Sequence, residues 1–94
     1  LELLTVELDE RPAEIRRAIV AGDLEAARRQ AHSLKGATTS IGALALGQAA
    51  ADLERAPDLE SMAAMLKVLD RQTARTRRAV EALLPGKAPK RLTG

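Results

Sequence analysis

Ninety-four residues suffice for one domain and exclude a multi-domain enzyme, and the lack of Cys also excludes a disulfide scaffold, thiolate zinc sites and thiol catalysis. No Trp, Tyr or Phe occurs, yet 46% of the chain is hydrophobic and 19 residues are Ala, which favours helix over a sheet built from β-branched and aromatic side chains. The formal charge of +2 divides into +3 over residues 85–94 and −1 over residues 1–84, so the basic character belongs to a tail and gives a nucleic-acid role no global electrostatic support.

The first predicted helix runs from Leu1 to about Val20, with Leu4, Leu8, Ile15 and Ile19 on one stripe. Pro12 either kinks it or restarts it behind Asp9. Gly22 ends the segment as a C′ glycine, and Asp23 suits the N-cap of the next. The second helix extends from Leu24 to about Ser40. Its seam of Leu24, Ala27, Ala31, Leu34, Thr38 and Ile41 alternates spacings of three and four.

Gly42 marks a break before a third helix, Ala43 to Arg55, which directs Leu46, Ala49, Ala50 and Leu53 inward and Gln48, Asp52 and Arg55 outward. Pro57 stops it, and Asp58 can cap a fourth helix from Leu59 to Leu84. Met62, Leu66, Leu69, Thr73, Thr76, Val80 and Leu83 form its inner stripe, and Pro85-Gly86 ends it. These elements predict an all-α domain over residues 1–84, an antiparallel up-down-up-down four-helix bundle with a thin aliphatic core. Residues 85–94, with Lys87, Lys90 and Arg91, read as a disordered basic tail. No apolar run approaches the roughly 20 residues that span a bilayer, and the first residues alternate acids with Leu, unlike a signal peptide. The start at Leu rather than Met is what a piece of a longer protein would have.

Most of this pattern suits any small helical bundle, but Ala31-His32-Ser33-Leu34-Lys35-Gly36-Ala37 is unusual. At about 100° per residue, His32 falls roughly 130° from the seam, on the outer flank. Arg28, Lys35, Gly36 and Thr39 are its helical neighbours, and Glu25 and Arg29 lie at the edge of the same patch. A neutral imidazole is a competent nucleophile near pH 7, and surrounding cations would lower its affinity for a proton. Lys35 can lie alongside a phosphoryl group and offset its charge. Gly36 costs a helix up to about 1 kcal/mol relative to Ala, and the return is clearance for another molecule's backbone.

The stretch from Ala31 to Glu54 resembles the histidine phosphotransfer (HPt) domain family. It supplies His32, Leu34, Lys35 and Gly36, then Ile41-Gly42, Leu46, Ala49, Leu53 and Glu54 at the family's spacing, with the Ala21-Gly22-Asp23-Leu24 turn upstream. The resemblance implies a phosphorelay intermediate in which His32 takes a phosphoryl group through Nε2. The group would pass to or from an aspartate of a response-regulator receiver domain, or come from a histidine kinase. Lys35 would then steady the phosphoryl group and Gly36 give access, while Glu25, Arg28, Arg29 and Thr39 belong to the partner surface. Glu54 would hold the histidine's other nitrogen or a local helix contact. Such a domain is a phosphocarrier rather than an enzyme, with Mg²⁺ expected from the receiver and no cofactor of its own. The expectation is a cytoplasmic monomer with no nucleic-acid partner and no membrane insertion. The same pattern also suits the substrate domain of a chemotaxis-type kinase, or a receiver-docking bundle that no longer transfers.

Lys67, Arg71, Arg75 and Arg78 form a second basic stripe, on the fourth helix, which reads as a solvated outer face rather than an anion-binding one. Asp52 and Glu54, two apart, cannot share a helical face as a carboxylate dyad. A single His with no acid at a suitable i+4 position is likewise a poor metal site.

Overall fold

The computed structural model describes residues 2–39 and 43–83, with side chains from Val6 onward. Four helices account for nearly all of them: α1 Glu2–Val20, α2 Leu24–Thr39, α3 Leu44–Arg55 and α4 Leu59–Leu83. No strand occurs among the described residues, and the domain is all-α. Each helix packs on its neighbour in the chain, and α4 closes the ring against α1. Leu4, Ser40, Ile41, Gly42, Leu84 and the tail from Pro85 to Gly94 lie outside the described side chains. None of the helices, within the described residues, is long and apolar enough to cross a membrane.

The connections follow from local chemistry. Gly22 adopts φ +75°, which L side chains resist, and there the amides of Gly22 and Asp23 return to the carbonyls of Ile19 and Ala18. Asp23 then caps α2, its Oδ1 accepting from the Ala26 amide at 3.0 Å. Asp58 caps α4 in the same way through the Ser61 amide at 2.8 Å. Hydrogen bonding from Ser61, first through its amide and second through its hydroxyl, outweighs slight desolvation and holds the Asp58 carboxyl below its ordinary pKa.

Leu8, Ile15, Leu34, Leu46, Leu53, Met62 and Leu69 are buried to 1% exposure or less, together with Thr38. Ala27, Ala31, Ala49 and Ala50 are buried beside them, which lets the helix axes approach closely. Gly47 extends this on α3: a Cβ there would sit 3.1 Å from Thr38 Oγ1, whose hydroxyl is held by donation to the Lys35 carbonyl. The predicted inner stripe of α4 faces inward except at its last residue. Met62, Leu69, Thr73 and Val80 are buried, Leu66 and Thr76 are partly covered, and Leu83 is 75% exposed. A helix of 25 residues outruns α3, which has 12, so its last turn has less to pack against.

Of the two alternatives at Pro12 the restart is excluded: α1 runs through it as one helix, with Pro12 buried. A proline has no amide hydrogen, so the Leu8 carbonyl four residues earlier loses its intrahelical donor. Arg77 of α4 supplies a replacement, donating from Nη2 to Leu8 O at 3.2 Å while pairing with Asp9 Oδ1 at 2.5 Å. Arg16 and Asp70, 2.6 Å apart, add a second tie between α1 and α4.

Candidate functional site

The seam of α2 turns Ala27, Ala31, Leu34 and Thr38 into the core, so His32 falls on the outer flank, with 66% of its side chain exposed. It leans toward the last turn of α3. Its Nδ1 lies 2.8 Å from Oε2 of Glu54, and Lys35 Nζ lies 3.2 Å from the other oxygen, Oε1. Glu54 is the least exposed of the three, at 29% against 40% for Lys35.

Partial burial of Glu54 favours the protonated acid. The hydrogen bonds from His32 and Lys35, with their positive charge, more than offset this and leave the carboxyl below its ordinary pKa. An ionised carboxylate can only accept, so Nδ1 of His32 must carry the proton that fills the 2.8 Å contact. In the neutral ring the lone pair then sits on Nε2.

The expected ring of cations around His32 is not what surrounds it. The charged group in contact with it is the Glu54 carboxylate, brought from α3, and both Arg28 and Lys35 are held in contacts of their own. Arg28 splits its guanidinium between Glu25 Oε2 at 3.2 Å and the Ala56 carbonyl at 2.9 Å. Lys35 lies beside the histidine as expected, but on Glu54. A helical wheel drawn for α2 alone omits whatever α3 presents to it.

The other expected residues fall around this centre. Gly36 is exposed, and a Cβ there would meet nothing within 4 Å, so the surface beside His32 is open. Thr39 is exposed and its hydroxyl donates to the Lys35 carbonyl at 2.9 Å. Arg29 and Glu25 are exposed at the patch edge. Asp52 points away, held by Gln48 and Arg55, and makes no dyad with Glu54. Lys67, Arg71, Arg75 and Arg78 are all exposed on α4. No group of three or more His, Cys, Asp or Glu side chains, among the described residues, could hold a metal ion.

The contact that sequence reasoning missed is that of Arg28 with Ala56. The spacing of Arg28, His32 and Lys35 by four and three was visible, but that all three reach the end of α3 was not.

The fold and the site together define an all-α bundle that displays a single, carboxylate-tethered imidazole at its surface. The family profile of the Hpt domain matches residues 1–84, and the chain belongs to that family, the histidine phosphotransfer modules of two-component phosphorelays. Comparison with curated proteins and with solved structures finds no match.

Proposed function

We propose that His32 is the phosphorylated residue and that the domain exchanges a phosphoryl group with an aspartate of a response-regulator receiver domain. The observation that carries this reading is the Glu54 contact at 2.8 Å, which commits Nδ1 and leaves Nε2 as the free lone pair on an exposed ring. In the forward step that lone pair attacks the phosphorus of the receiver's aspartyl phosphate. The N–P bond forms as the acyl-phosphate P–O bond breaks, and the aspartate carboxylate leaves with the electron pair. Nδ1 keeps its proton, so the phosphorylated ring gains positive charge, which the facing Glu54 carboxylate stabilises. Lys35, whose partly exposed ammonium pairs with Glu54 Oε1, exchanges that oxygen for the phosphoryl oxygens.

Gly36 clears the approach, and Glu25, Arg29 and Thr39 rim the surface on which the partner sits. Mg²⁺ belongs to the receiver in this scheme. The short connections Ala21–Asp23 and Ala56–Asp58 favour up-down-up-down order for the helices, and the domain works as a cytoplasmic monomer. Phosphoryl transfer depends mostly on positioning and charge stabilisation, so one nucleophile and one cation suffice.

The test is incubation with a receiver domain labelled at its aspartate. Label should move to the wild-type domain and be acid-labile and alkali-stable. His32→Gln should take none, with helicity and melting unchanged. Label on the His32→Gln protein would overturn the assignment, and receiver binding without transfer would identify a docking module instead.

A further inference from the structure

We infer that Arg28 is a positioning residue for phosphoryl transfer, holding the end of α3 in the register that keeps Glu54 on His32. This rests on the reading of His32 as the phosphorylated residue. Arg28, His32 and Lys35 stand four and three residues apart, so their side chains stack on one face of α2. All three meet the same short stretch of α3: Arg28 the Ala56 carbonyl at 2.9 Å, His32 and Lys35 the two oxygens of Glu54 at 2.8 and 3.2 Å. The three contacts form a ladder whose far side is only the segment from Glu54 to Ala56.

Ala56 is where α3 ends. Its amide closes back on Leu53 O at 3.1 Å, and its ψ of 138° turns the chain out of the helix toward Pro57. The Ala56 carbonyl therefore has no place in the helical ladder, and the residue is 1% exposed. A buried carbonyl without a donor is costly. Arg28 answers that need with one arm of its fork while the other arm is braced on Glu25. The fork suits this better than an ammonium would, because two fixed N–H directions define an axial position rather than a distance alone. Slippage of α3 past α2 would carry Glu54 off Nδ1. The neutral ring would then populate the tautomer with the proton on Nε2, which has no lone pair to attack phosphorus.

The experiment compares wild type, Arg28→Gln and Arg28→Lys by ¹⁵N NMR of the His32 ring in the unphosphorylated domain in mildly alkaline buffer, alongside the rate of label uptake. Wild type should show a protonated Nδ1 and an unprotonated Nε2. Arg28→Gln should show averaged tautomer shifts and roughly tenfold slower transfer, with Arg28→Lys restoring both in part. Wild-type ring shifts in Arg28→Gln would overturn the proposal, as would loss of helicity in both variants, which would assign Arg28 to folding instead. The tautomer readout needs no phosphate, so the two failures are distinct: a wild-type domain that never takes label overturns the phosphocarrier reading, and unchanged ring shifts in Arg28→Gln overturn the role of Arg28.

Discussion

His32 and Lys35, one turn apart on α2, grip opposite oxygens of the same carboxylate, Glu54 of α3. That arrangement places the proton on Nδ1 of the imidazole, holds the ammonium on the same carboxylate, and ties the two helices that carry them.

Glu54→Gln should slow phosphoryl transfer by about ten- to a hundredfold, because the ring then loses the charge that faces its developing positive charge. It should also change how stability depends on pH. The carboxyl of Glu54 is depressed in the folded state, so its contribution is complete above the ordinary glutamate pKa of about 4.3, falls as pH drops below it, and vanishes beneath the folded-state pKa. Urea unfolding at pH 7 and pH 3 should therefore find the lead of wild type over the variant smaller at the lower pH. An equal gap at both would show that the ion contacts contribute nothing.

Lys35→Ala should lower the transfer rate by one to two orders of magnitude while the domain melts as before, since the side chain is 40% exposed and its partner can be solvated. Unchanged transfer would mark Lys35 as a tether of Glu54 alone.

Gly36→Ala separates stability from access. A methyl group there meets nothing within the domain and gains helix propensity, so the melting temperature should rise, by the equivalent of up to about 1 kcal/mol. Transfer from a receiver should nevertheless slow. Equal transfer rates would remove the need for clearance at this position.

Arg77→Ala should destabilise the domain by about 1 kcal/mol by orphaning the Leu8 carbonyl. Pro12→Ala restores an amide donor to that carbonyl, so the penalty should shrink in the double variant. Denaturant midpoints of the four proteins give the coupling, and additive effects would mean that Arg77 acts only through Asp9.

Leu34→Ala removes a fully buried side chain directly behind His32, and should cost about 2–5 kcal/mol. Thermal melting should separate it clearly from the exposed His32→Gln.

The fold class was legible because helix formation here is a local matter. Apolar residues recur at three and four, Gly22 and Asp23 end one helix and begin the next, and Asp58 starts the last, each acting within a few residues of itself. The exposure of His32 followed from the same periodicity, and the family resemblance brought Glu54 into view. Pro12 could not be decided locally: whether a proline is tolerated in mid-helix depends on a donor for the freed carbonyl, and Arg77 is 69 residues from Leu8. The inner stripe of α4 departs from expectation only at Leu83, since burial there requires a neighbour that the helical period of α4 does not report.

Sequence by itself determined the helices and the side of α2 on which the imidazole stands, because both are set by backbone geometry over a turn or two. Only the tertiary structure decided what faces that imidazole. A carboxylate 22 residues away takes both the imidazole and Lys35, and a carbonyl at a helix end takes Arg28, because charge and hydrogen bonding act through space and the packing of α3 on α2 sets those distances.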